Sequence, residues 1–436
     1  MDVVSLWHEL VARDPIPPGD FLERMARSGA LHGGQPACVH RRPHFISARA
    51  ATSIREATRQ IHKAIRALLA VLVEDGLDGR DGSLARMLGL SPEIIRLAAI
   101  EPGAEEEPTL LRVRVALHQD HPMLLDIDAE GDVPLGYSDV LTSFFEQDPF
   151  TVNFPGLMPF RGGEELAQAV LRTWKTWSGT PGGAPRVAIV GFRDDPRAVE
   201  STLLQRRFQL QGVRCVVADP RDLSFQRGRL IAEGQPVDVV HRRVHIETLI
   251  ARPEECKALL DATRAGAVCM VNSLRSGLLH SRAILAYLHD MSFLAGLPEA
   301  QRDAIRHHVP WTGLLCAEPG APRSDQLIFL ANAHRNELAL RPLSSDLGRS
   351  IPGWMVTQDD WEEVLEQANH HVLQRRVPIE RHPFPDARSG YALTERMVEL
   401  SVSVVRGRAT TMLAHLREGP RSPDSTLAPV FAVPAP

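Results

Sequence analysis

The chain has 436 residues, 44% hydrophobic and 24% charged, the composition of a folded globular protein too long for one ordinary core. A net charge of −5 gives no basic surface for nucleic acid or an anionic membrane, and no apolar run approaches the roughly 20 residues that span a bilayer. Five cysteines (Cys38, Cys215, Cys256, Cys269, Cys316) lack CxxC spacing, and the first 20 residues lack the basic-then-apolar order of a signal peptide, so a cytoplasmic protein is expected.

Residues 1–110 read as mainly helical. Over 53–74, Ile54, Ala57, Ile61, Ile65, Leu68, Leu69 and Leu72 recur at three- and four-residue steps and mark an amphipathic helix. The acidic run 101–108 reads as an exposed connection. Strands are expected over 110–117 and 123–129, joined by a turn short enough for a hairpin. Several Gly and Pro residues interrupt 151–185, and 178–185 reads as a lobe boundary. Beyond it the chain alternates: strand 186–192, helix 196–211, strands 213–218 and 237–243, helix 253–265 and strand 268–272. That order implies a parallel sheet covered by helices. From 290 onward the pattern is mixed, with a strand at 337–340, a helix at 359–370, a strand at 372–374 and a Pro-rich tail.

Two constellations could carry chemistry. Arg112 and Arg114 lie two apart on the first hairpin strand, and Asp126, Asp128 and Glu130 lie two apart along the second, with Asp132 beyond. Residues two apart share a strand face, so these acids project together toward the arginines. Magnesium is typically held by one or two carboxylates plus substrate phosphates. A solvent-facing ladder of salt bridges has the same pattern, and the residues alone leave both open. The second constellation is Arg341 followed by Ser344, Ser345, Gly348 and Arg349, a strand entering a small-residue loop. Exposed amides and arginine forks bind phosphates, although many such loops are only turns. Eighteen histidines show no metal spacing such as HExxH, and no nucleophile elbow, Walker A loop or dinucleotide loop occurs. Only three lysines are present, Lys63, Lys175 and Lys257.

Several segments fall in a telling order. They are 127–136 (IDAEGDVPLG) with Asp139, the alternating stretch 186–243, 271–288 (VNSLRSGLLHSRAILAYL), 308–312 (HVPWT), 336–342 (NELALRP), Trp361, 372–377 (VLQRRV) and 429–433 (PVFAV). Together, from about Pro43 onward, they resemble the circularly permuted ATP-grasp proteins of the group containing glutathionylspermidine synthetase and eukaryotic glutathione synthetase. The resemblance implies an α/β fold with a helical N-terminal region (1–110), a first ATP-grasp portion (111–180), an inserted parallel-sheet, pre-ATP-grasp-like lobe (181–290) and a second ATP-grasp portion (291–436).

It also implies an ATP-dependent carboxylate–amine ligase that forms an amide through an acyl phosphate. ATP and magnesium are the expected cofactors, and a small-molecule or peptide carboxylate and an amine the expected substrates. Carried over residue by residue, Asp128 and Glu130 are expected metal ligands. Arg114 is expected to stabilise the reacting oxygens, and Arg282, Arg341, Arg349 and Gln374 to contact the nucleotide. This chain departs from the pattern at Ala116, where the family has an aspartate ligand, and at Glu130, where it has asparagine. Arg375 stands in place of a common glutamate, the lid loop is reduced to Gly348 with serines, and 406–429 lacks an asparagine and paired glycines. The alternative is therefore a catalytically silent homologue that acts as a binding or partner subunit.

Overall fold

The computed structural model describes residues 2–76, 83–100, 108–130, 133–179, 183–315, 323–344, 350–368, 370–420, 422 and 425–434. Its largest element is an eight-stranded sheet. Its main path runs His44–Ser47, Thr426–Val433, Arg408–Arg417, Ala392–Val405, Leu110–His118 and His121–Asp128. Arg381–Asp386 pairs with the first half of Ala392–Val405, and Met158–Pro159 with the end of Thr426–Val433. The expected hairpin is present, and its register sets Arg112 opposite Asp128 and Arg114 opposite Asp126.

Alternation explains which face of this sheet holds chemistry. Val113, Leu400, Val402 and Val404 share a core with Ile54, Ile61, Ile65 and Leu68 of the 29-residue helix Ala48–Gly76. Residues of the opposite parity, Arg112, Arg114, Glu399, Ser401 and Ser403, must then face the other way. The long helix thus fixes the polar face by burying the apolar one. The N-terminal region is less purely helical than expected, because its strand His44–Ser47 pairs in parallel with Thr426–Val433.

The alternating segment builds the expected parallel sheet, in the order Cys269–Val271, Val239–Arg242, Arg186–Val190, Arg214–Ala218. The chain winds outward from Arg186–Val190 to Arg214–Ala218, then returns to add Val239–Arg242 on the other side. The strand order therefore reverses between Arg186–Val190 and Val239–Arg242. Ligands of open α/β sheets bind outside the carboxyl ends of strands at such a reversal.

A third layer is an antiparallel sheet in the order Thr312–Leu315, His371–Arg375, Leu338–Pro342, Ile351–Pro352. Trp361 of helix Gln358–Glu366 is fully buried against it, and helix Arg323–Ala333 contributes Ala331 to the same core. Among the described residues, no helix is long and apolar enough to cross a membrane. The connection expected at 101–108 lies almost wholly outside the described residues.

Asn272 fastens the parallel-sheet lobe to the hairpin. Its side chain accepts from the Leu110 amide at 2.9 Å and donates to the carbonyls of Leu110 at 2.7 Å and Ala129 at 2.6 Å. It is 2% exposed, so Asn272→Ala strands three backbone groups away from water. The expected cost is about 2–4 kcal/mol, since an orphaned buried polar group costs about 1–3 kcal/mol. Denaturant melts of the two proteins check this, and coincident midpoints would contradict it.

Candidate functional site

The three layers meet around Asp126, with a cavity on either side of it. The smaller, about 250 Å3, lies at the strand-order reversal. Phe192 and Asp195 reach it from beyond Arg186–Val190, Arg243 and His245 from beyond Val239–Arg242, and Arg112 and Asp128 from the hairpin. The larger, about 680 Å3, lies between the polar face of the big sheet and the four-stranded sheet. Among the described residues, five arginines line it (Arg114, Arg341, Arg375, Arg376, Arg417) against one acid, Glu399.

Asp126 lines the smaller cavity and its partner Arg341 the larger, so this ion pair stands between them. Asp126 Oδ2 accepts from Arg282 Nε at 3.1 Å and from Arg341 Nη2 at 3.0 Å. Burial pushes its carboxyl up, but Arg341, Arg282 and Arg114 outweigh burial and hold it well below the usual carboxylate range. Arg341 also donates to the Leu125 carbonyl at 2.7 Å and to Gln374 Oε1 at 2.6 Å, so its guanidinium is held in one orientation. Arg114 pairs with Glu399 on the neighbouring strand.

The expected site residues divide between these places. Arg114, Arg341 and Gln374 line the larger cleft together. Arg282 and Asp128 line the smaller cavity instead, where Asp128 pairs with Arg112 at 2.7 Å. Arg349 lies outside the described residues, as do Asp132 and Gly348.

Glu130 lines neither cavity. It turns inward from the end of the hairpin and is 0% exposed. Oε1 accepts from Arg242 Nη2 at 3.2 Å and Ser276 Oγ at 3.1 Å; Oε2 accepts from Arg242 Nη1 at 2.9 Å and the Ile246 amide at 2.6 Å. A carboxylate has about four acceptor positions, and all are filled by hydrogen-bond donors. Here Glu130 locks the hairpin to the parallel-sheet lobe. Ala116, at the third position where an acid is expected, is fully buried opposite Met123. Among the described residues no group of three or more His, Cys, Asp or Glu side chains could hold a metal ion. Of the two expected ligands, Glu130 has no acceptor position left for a metal ion, and Asp128 is already paired with Arg112.

Sequence reasoning missed several residues here. Glu399 was legible, because Glu399, Ser401 and Ser403 alternate with Leu400, Val402 and Val404, the mark of a strand with one apolar face. Glu247 and His280 gave no such signal, since they are 33 positions apart and meet only through the fold. His280 Nε2 lies 3.2 Å from Glu247 Oε1 and 3.2 Å from Ser344 Oγ, at the edge of the smaller cavity. Burial alone would lower this imidazole. The hydrogen bond to Glu247 and the charges of Glu130, Glu247 and Asp128 overcome it and raise the group to about 9.

Folded His280 thus holds its proton more tightly than the unfolded chain does, for which the ordinary value is 6.5. Its stabilisation is complete below that pH and is lost as pH rises through about 9. His280→Gln is expected to flatten the fall in Tm across this window. An unchanged slope would show that the pair does not form.

No protein-family model matches the chain, and no curated protein does. Solved structures do. A glutathione synthetase-like effector from Globodera pallida, in apo form, is similar over 96% of this chain and 97% of its own, at 12% identity and a TM-score of 0.53. A putative γ-glutamylcysteine synthetase from Methylobacillus flagellatus KT aligns over 87% of this chain and 86% of its own, at 9% identity and a TM-score of 0.44. The ATP-grasp ligase PsnB, complexed with a minimal precursor, aligns over 58% of this chain and 92% of its own, at 15% identity and a TM-score of 0.32. The first of these, matched over nearly the whole length of both chains, shows that this chain shares its fold.

Proposed function

We propose that the chain is an ATP-dependent carboxylate–amine ligase of the circularly permuted ATP-grasp kind. The nucleotide would lie in the larger cleft and the carboxylate and amine in the smaller cavity. The observation that carries this reading is the pair of cavities on either side of Asp126, one cationic and set between two sheets, the other at a strand-order reversal.

In this reading a carboxylate oxygen attacks the γ-phosphorus and ADP leaves. The amine nitrogen then attacks the acyl carbon, loses a proton, and inorganic phosphate departs. Such chemistry is mostly positioning and charge stabilisation. Arg341, oriented by Gln374 and Leu125, would hold the polyphosphate. Arg114 would face the transferred phosphoryl and the tetrahedral oxygen, and Arg282 would reach the same region from the smaller cavity. Arg349 keeps its expected nucleotide role as part of the proposal. The acids of the smaller cavity (Asp126, Asp128, Asp195) suit an ammonium group, and its arginines a carboxylate. A cytoplasmic location, where ATP is available, belongs to the same proposal.

One observation favours a second reading. Glu130 is saturated by donors and Asp126 is clamped by two arginines, an arrangement that also fits a silent homologue serving as a binding or partner subunit. Incubation with ATP and a pool of amino acids and small peptides separates the two. ADP formation that requires both a carboxylate and an amine supports ligation. ATP binding without any ADP formation supports the subunit.

A further inference from the structure

We infer that this chain binds a nucleoside triphosphate without a divalent metal ion, with arginines supplying the charge neutralisation. The inference rests on the larger cleft being the nucleotide site, and it concerns how that site holds phosphate.

Among the described residues, each acid at the site is already paired with an arginine. The four acceptor positions of Glu130 are filled, away from both cavities. Asp128 accepts from Arg112 on Oδ2, at 2.7 Å, and from the Glu130 amide on Oδ1, at 2.8 Å. Asp126 accepts from two guanidinium groups on Oδ2, at 3.0 and 3.1 Å, and from the Ile127 amide on Oδ1, at 3.2 Å. Glu399, which lines the larger cleft, pairs with Arg114. Magnesium takes near-ideal octahedral geometry and needs oxygen lone pairs aimed at it. Here each of those carboxylates is already neutralised by a guanidinium, Glu130 has no acceptor position left, and an added cation would meet the charges of Arg112, Arg114, Arg282 and Arg341.

The same arginines suit phosphate. A guanidinium presents a planar fork that binds two phosphate oxygens, is weakly hydrated and stays charged when buried. Arg341 is 8% exposed, opens on the larger cleft and is pre-oriented by three acceptors. Asp126 serves as its resting counter-ion. An entering phosphate would compete with that carboxylate for Arg341, while Arg282 remains to hold Asp126. The charge that a metal would bring with the nucleotide is thus already built into the protein.

Calorimetric titration of the full chain with ATP, once in excess EDTA and once in millimolar magnesium, tests this. The two dissociation constants are expected to agree within about threefold. Asp128→Asn, titrated in magnesium, is expected to match the parent, whereas Arg341→Lys, which keeps the charge but loses the fork, is expected to bind about tenfold more weakly. Binding that needs magnesium, or that Asp128→Asn abolishes, overturns the inference and leaves the nucleotide site standing. Absence of binding under both conditions overturns the nucleotide site and the inference together.

Discussion

Glu130→Gln is expected to destabilise the protein by about 3–5 kcal/mol, the usual cost of breaking a buried ion pair by neutralising one partner. The neutral amide keeps the shape of the side chain but leaves the Arg242 guanidinium, itself 0% exposed, without a counter-charge. It also sets an NH2 group against donors where an acceptor stood, because both oxygens of Glu130 receive two hydrogen bonds each. For a chain of 436 residues the loss corresponds to a fall in Tm of about 3–5 °C. Thermal scans of parent and variant check it. The result also separates two roles for Glu130. A metal ligand changed to glutamine would leave the melt of the metal-free protein largely alone, whereas a structural lock would not.

Arg341→Met is expected to weaken nucleotide binding about 100-fold, since hydrogen bonds to charged groups contribute about 1.5–3 kcal/mol and each 1.4 kcal/mol is tenfold in affinity. The side chain holds three partners, the Leu125 carbonyl, Gln374 and Asp126, and Gln374 would lose its strongest one. Stability should fall as well. Affinity is therefore compared at a temperature where circular dichroism shows both proteins folded. An unchanged dissociation constant would remove Arg341 from the nucleotide site.

Much of this could be read from the chain before its structure was known, and the reasons are local. The stripe Ile54–Ile61–Ile65–Leu68, the hairpin alternation and the strand–helix order after residue 186 are short-range patterns, and each is present as an element. That the acids of the second hairpin strand face Arg112 and Arg114 follows from alternation, but the particular pairs, Arg112 with Asp128 and Arg114 with Asp126, depend on a register shift between Arg114 and Val115. Position 130 shows the limit of that logic. Period two carries Glu130 to the same face as Asp126 and Asp128 only while the strand continues, and the strand ends at Asp128. Two residues later the chain turns inward, and Arg242, 112 positions away, takes over the carboxylate.

The strands Ala392–Val405 and Arg408–Arg417 lie in the stretch whose sequence reads as mixed with a Pro-rich tail, although their own alternation is regular. Glu399, the partner of Arg114, lies on the first of them. The pair Glu247–His280 and the cavity at the strand-order reversal depend on topology, which no window of sequence contains.

In the proposed site a nucleotide occupies the cleft between the eight-stranded and four-stranded sheets, with its phosphates toward Arg341 and Arg114. A crystal structure with a non-hydrolysable ATP analogue, grown without divalent metal, tests it most directly. The base is expected near Gln374 and Trp354, which both line this cleft, the phosphates on Arg341, and Asp126 turned to Arg282 alone. An analogue lodged elsewhere, or phosphates that leave the Arg341–Asp126 pair untouched in a fully occupied complex, would contradict it.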